Sequence, residues 1–114
     1  MKTTEALERL SALAHETRLA IFRQLVRRGA DGLAAGEIAS RLDVPKPTLS
    51  FHLAHLEGAG LIGSRREGRS IVYAADYTAI ADLVGFLYES CCVEGSCVPA
   101  EGVAALANKK GSRR

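Results

Sequence analysis

Three cysteines, Cys91, Cys92 and Cys97, fall within seven residues near the end of a 114-residue chain. Thiolates are soft ligands that select soft ions, and three sulfurs with no evident fourth ligand disfavour a tetrahedral structural zinc site. Two other readings stand beside a ligand site. Free cysteines often pack as small buried hydrophobes, and Cys92 with Cys97 can form a redox-switching disulfide. Glu89 and Glu94 lie next to the thiols, and nearby negative charge raises a thiol pKa, which argues against hyper-reactive thiolates. A thiol enzyme would need a low-pKa nucleophile, but these cysteines follow a helix, at its negative end, and no anion-cradling glycine loop precedes them. The chain therefore reads as a non-enzyme.

The surroundings of the cysteines set their chemistry. Residues 76–101 carry five acids (Asp76, Asp82, Glu89, Glu94, Glu101) and no Lys or Arg, a net charge of −5. Residues 1–75 are net +3, and Lys109, Lys110, Arg113 and Arg114 make the tail +4. A basic body joined to an acidic, cysteine-bearing segment implies two different jobs. The N-terminus runs straight into charged residues with no apolar signal core, and no apolar run reaches the ~18–20 residues of a membrane span. The expectation is a cytoplasmic protein with reduced thiols and no membrane partner, since an odd cysteine count is a poor disulfide framework.

Adjacent residues of an intact helix point about 100° apart, so Cys91 and Cys92 converge on one ion only where a helix ends. Gly95 would then let the chain bring Cys97 back. The helix in question, about Tyr77–Ser90, is apolar almost all round: Ile80, Ala81, Leu83, Val84, Phe86, Leu87 and Tyr88. Such a helix must be covered on two sides, and the same helix of a second copy is the simplest second cover. The size of the chain points the same way, because one domain of this length has a thin core.

Upstream, Leu7, Leu10, Leu13 and Ala14 recur at helical spacing and predict a first helix over about 4–14. A second helix is expected over Glu16–Arg28, with Leu19, Ile21, Phe22, Leu25 and Val26 buried and Gly29 as its stop. Gly32 to Gly36 reads as loose, and a short helix follows over about Glu37–Leu42. Pro47 suits the first turn of the next helix, whose inner face is Leu49, Leu53 and Leu56 and which ends near Gly58–Gly60. The period then changes: 62–66 and 70–74 read as two short strands around a Glu67-Gly68 turn.

Short helix, turn, helix and basic hairpin is the order of a winged helix-turn-helix, whose second helix enters the major groove of DNA. The non-leucine face of that helix offers Thr48, Ser50, Phe51, His52 and His55, with Lys46 just ahead. Arg65, Arg66 and Arg69 flank the hairpin turn, where they can pair with phosphates or reach a minor groove. Each of these residues singly is also an ordinary solvated surface residue; the constellation is what points to double-stranded DNA.

Those same residues carry a family resemblance. Pro47-Thr48-Leu49-Ser50-Phe51-His52-Leu53-Ala54-His55-Leu56, then Ala59-Gly60-Leu61-Ile62 and Arg65-Arg66-Glu67-Gly68-Arg69, resemble the ArsR/SmtB metal-responsive repressors, as does Leu13-Ala14-His15-Glu16-Thr17-Arg18-Leu19. Glu16 stands where many members carry proline. The resemblance spans roughly Leu7 to Cys97. It implies a mainly α fold with a small β-hairpin, a winged helix-turn-helix that forms a homodimer through its first and last helices. It also implies an inverted-repeat DNA operator released when a thiophilic ion binds.

Two familiar sensor sites of that family are absent. Ala34 and Gly36 stand where the arsenic sensors place a Cys-x-Cys pair, and no histidine follows His55 to complete a zinc site with Asp82 and Glu89. Cys91, Cys92 and Cys97 remain, similar to an arsenite-responsive variant with a cysteine pair at the end of the last helix. Three sulfurs match the valence of trivalent arsenic, the expected inducer, or of trivalent antimony. Methylated arsenicals need only two thiols, and the acidic segment would also draw cadmium, lead or zinc. The expected organisation is a DNA-binding and dimerisation domain over 1–100, bearing the cysteine site, and a flexible basic tail over 101–114. No protein partner beyond the second copy is expected.

Overall fold

A computed structural model describes residues 1–95. Cys97 and the 101–114 tail therefore lie outside the described residues. Five helices and three strands follow in the order α1 (Thr3–Leu13), α2 (Glu16–Arg28), β1 (Leu33–Ala34), α3 (Ala35–Leu42), α4 (Lys46–Gly58), β2 (Ile62–Glu67), β3 (Ser70–Ala75) and α5 (Tyr77–Tyr88). This is the mainly helical winged helix-turn-helix that the sequence implies. Among the described residues no helix is long and apolar enough to cross a membrane.

Local chemistry sets the boundaries. The His15 ring caps α2, its Nδ1 accepting from the Thr17 N–H at 3.1 Å, and Gly29 at φ +88° ends that helix. Asp43 ends α3 in the left-handed region. Pro47 occupies the first turn of α4, where its missing N–H costs nothing. Asp76 caps α5 by accepting from the Ala79 N–H at 3.1 Å.

The core is one cluster in which Ile21, Phe22 and Leu25 of α2 meet Leu33, Ile38, Leu49, Leu53, Leu56 and Leu61. Each buried leucine or isoleucine contributes about 1.5–3 kcal/mol by leaving water. The expected inner face of α4, Leu49, Leu53 and Leu56, is therefore the observed one. Two expectations for α2 fail: Leu19 and Val26 are exposed. Each is the next residue along from one on the Arg18–Ile21–Leu25 stripe, so each is turned about 100° away from the core. Leu7 and Leu10 of α1 also face outward, while the small Ala6 and Ala12 are buried.

The supposedly loose Gly32–Gly36 stretch contains a strand. Leu33 and Ala34 pair antiparallel with Tyr73 and Val72, giving a three-stranded sheet in the order β1-β3-β2. Gly32 makes this possible. At φ +71°, a Cβ there would stand 2.5 Å from the Tyr73 carbonyl oxygen, closer than any side chain can approach. The β2–β3 hairpin closes with Glu67 opposite Ser70, so its turn is Gly68-Arg69, one residue later than the sequence reading. Gly68, at φ +63°, supplies the positive φ that a two-residue hairpin turn demands.

Candidate nucleic-acid interface and cysteine turn

With its leucines inward, α4 presents Lys46, Thr48, Ser50, Phe51 and His55 to solvent. Phe51 is 66% exposed, a large cost for an aromatic ring unless something covers it. The hydroxyls of Thr48 and Ser50 stand in the first turns, where a recognition helix meets base edges and where helix N–H groups attract phosphate.

His52 departs from the expected set. It is 6% exposed, and its Nδ1 lies 3.3 Å from Nη1 of Arg18. A guanidinium only donates, so Nδ1 accepts and His52 is neutral with its proton on Nε2. The His15 ring packs on it with centroids 4.6 Å apart. Burial, reinforced by His15, Arg18 and His55, holds the His52 pKa below its usual 6.5. Three residues after Leu49 and four before Leu56, this side chain falls on the buried leucine face of α4 and does not share the open surface.

The three hairpin arginines also divide. Arg65 is tied down: Nη1 and Nη2 donate to the Ala30 and Asp31 carbonyls at 3.2 and 2.7 Å, and Nε donates to Glu67 at 2.6 Å. It braces the hairpin against the loop after α2. Arg66 and Arg69 are exposed, Arg69 in the turn itself. The Ser64 hydroxyl donates to Glu57 at 2.8 Å and joins β2 to the end of α4.

Arg18 is the residue that sequence reasoning passed over. It is buried, and its Nε donates to the Ala12 carbonyl at the end of α1 at 2.7 Å. One side chain thus joins α1, α2 and α4. A signal existed: Arg18 sits three and seven residues before Ile21 and Leu25, on the buried stripe of α2.

The last helix stops at Tyr88, two residues before the expected Ser90. Ser90 and Cys92 then both take φ +63°, a conformation that costs a non-glycine residue about 1–2 kcal/mol. This turn brings the Sγ atoms of Cys91 and Cys92 to 3.4 Å, the convergence that an intact helix forbids. Cys91 is an exposed free thiol, and Cys92 is held in a disulfide. Just upstream, α5 buries Ala79 and Leu83 but leaves Val84 43% and Leu87 62% exposed. Arg9 of α1 donates to the Ala79 carbonyl at 2.8 Å, so the outward leucines of α1 belong to the same rigid unit as α5.

A family described as a helix-turn-helix domain matches residues 13–65. The chain is 32% identical over 90 residues to the transcriptional activator HlyU of Vibrio cholerae, covering 79% of this chain and 81% of HlyU. It is 34% identical over 91 residues to the biofilm growth-associated repressor of Agrobacterium fabrum, covering 80% and 75%. Among solved structures, an ArsR-like transcriptional regulator from Rhodococcus superposes with TM-score 0.69 at 29% identity, covering 95% of this chain and 92% of that one. The chain belongs to the ArsR family of transcriptional regulators. A homodimeric winged helix-turn-helix domain from Mycobacterium bovis, described as from a possible ArsR-family regulator, matches with TM-score 0.63 at 27% identity, covering 76% and 81%. In this regulator the exposed face of α4 and the hairpin tip form the candidate DNA-facing surface.

Proposed function

We propose that this protein is an arsenic-responsive transcriptional repressor that binds an inverted-repeat operator as a homodimer and leaves it when trivalent arsenic occupies Cys91, Cys92 and Cys97. The observation that carries the reading is the turn after Tyr88, which sets the sulfurs of Cys91 and Cys92 3.4 Å apart at the end of α5. Taking the zinc–thiolate length of ~2.3 Å as a scale, sulfurs at 3.4 Å subtend about 95° at a shared ion, tighter than a tetrahedral angle. That favours a pyramidal three-coordinate centre, which trivalent arsenic and antimony adopt with thiolates. Coordination needs Cys92 in its reduced form.

The exposed Leu7, Leu10, Val84 and Leu87 supply the dimer face of α1 and α5. Two recognition helices then stand about one DNA turn apart. An ion bound where α5 ends tilts one protomer against the other and spoils that spacing; by linkage, operator DNA weakens arsenite binding by the same factor. The sign of regulation follows the Agrobacterium repressor rather than HlyU, because release on induction suits a protein that blocks transcription.

Arsenite binding itself gives the test. Reduced protein should take up one arsenite per chain with loss of three titratable thiols, and Cys91→Ser, Cys92→Ser or Cys97→Ser should each weaken uptake. Undiminished uptake in all three variants rejects the site. A second reading, oxidation sensing, is favoured by the disulfide at Cys92 and by a solved form of HlyU described as reduced. Peroxide would then lower operator affinity without metal, and dithiothreitol would restore it.

A further inference from the structure

Nothing in the DNA-facing surface explains why a chain with three histidines brings two of them together over a buried arginine. The His15 and His52 rings lie 4.6 Å apart, and the Arg18 guanidinium spans from the Ala12 carbonyl to His52 Nδ1. The only direct polar tie among the described residues between the α1–α2 junction and α4 runs through this imidazole. The edge of the Phe51 ring also meets His52, at 5.7 Å and 68°, so the exposed aromatic of the DNA-facing surface is steadied by the same ring.

We propose that Arg18 is a positioning residue for the recognition helix, acting through neutral His52, and that protonation of His52 unseats α4 and weakens DNA binding. The proposal rests on α4 being the helix that meets DNA. Its logic is a donor count. Arg18 offers only N–H groups; a proton on Nδ1 turns the acceptor facing Nη1 into a donor and sets two cations 3.3 Å apart. The groups that act on the His52 ring are His15 and Arg18 from the α2 side and His55 on α4 itself; α1 contributes the Ala12 carbonyl to Arg18, and α3 and β2 contribute no charge. Each of the three is a cation when charged, so none stabilises an imidazolium, and burial opposes it further.

The sign of the effect separates this device from ordinary electrostatics. Exposed histidines on a DNA-binding face gain charge in acid and bind phosphate more tightly; a His52 that releases α4 does the opposite. The test uses the full reduced chain and a fluorescein-labelled duplex that the wild-type protein itself recovers from a random pool at about pH 8. Anisotropy from about pH 8 down to about pH 5 should show affinity falling about tenfold. His52→Asn, whose amide oxygen stands where Nδ1 does and takes no proton, should flatten that profile. Arg18→Lys keeps the charge but lacks the planar fork; it should weaken binding throughout and remove the acid step. Nitrogen-15 spectra of the free protein, independent of any variant folding, should show His52 as the Nε2–H tautomer at about pH 8. Wild-type affinity that holds or rises in acid overturns the proposal, as does an Nδ1–H tautomer. Failure of the α4 reading is visible separately: if Thr48→Ala and Ser50→Ala leave affinity unchanged, α4 does not meet the duplex and the proposal falls with it.

Discussion

Helices α4 and α5 are of nearly equal length and both are rich in leucine, yet they spend those leucines differently. α4 buries Leu49, Leu53 and Leu56 and shows solvent a lysine, two hydroxyls, an aromatic ring and a histidine. α5 buries only Ala79 and Leu83 and shows Val84 and Leu87. The first arrangement completes a core and leaves a face fit for a polar, charged polymer; the second leaves an apolar face that needs another protein surface. Arg9 ties α5 to α1 and Arg18 ties the end of α1 to α4, so the two faces belong to one connected body.

The largest expected effect attacks α5. Leu87→Asp should leave the fold intact but give a monomer by sedimentation, and lower operator affinity about a hundredfold or more as the second half-site contact is lost. A dimer that survives this change would move the interface elsewhere. The matching change in α4 acts on the fold instead: Leu53→Ala should cost about 2–5 kcal/mol in denaturant unfolding, because a fully enclosed leucine leaves a cavity.

Acid comes next. The His52 pKa lies below its usual 6.5 through burial first and its cationic neighbours second. The unfolded chain therefore binds the proton more readily than the folded one. Stability from neutral His52 is complete above about pH 6.5 and is lost as pH falls through the folded-state value. Thermal melts of wild type should decline in acid more steeply than those of His52→Asn. At the hairpin tip, Arg69→Ala should reduce the slope of log affinity against log salt by about 1 and weaken all duplexes alike. The smallest effect belongs to Glu67→Gln, which loses only the exposed pair with Arg65 and should change stability by less than about 1 kcal/mol.

Most of α4 and the hairpin was legible because leucines at helical spacing, a proline in the first turn and paired arginines around a glycine are local signals. What stayed hidden depends on neighbours distant in sequence. β1 exists because Tyr73 and Val72 offer it an edge and Gly32 lets the backbones meet; nothing local in Leu33-Ala34 announces a strand. His52 reads as one more polar residue until Arg18, 34 positions earlier, claims its lone pair. Leu19 and Val26 look buried by composition alone, and only the position of the Arg18–Ile21–Leu25 stripe turns them out. The cysteine turn was legible in part: a helix end was required between Tyr88 and Cys92, and its two left-handed residues were not foreseeable from residue type.

The central claim, that a soft ion at the end of α5 governs what α4 does, is tested most directly by titrating the reduced protein on a labelled inverted-repeat operator while following anisotropy. Arsenite and antimonite are compared with zinc and cadmium, for wild type and the three cysteine-to-serine variants. Release by arsenite at one equivalent per chain, lost in each variant, is the result this account predicts. Operator binding unchanged at saturating arsenite, in a protein shown to be fully reduced, would contradict it.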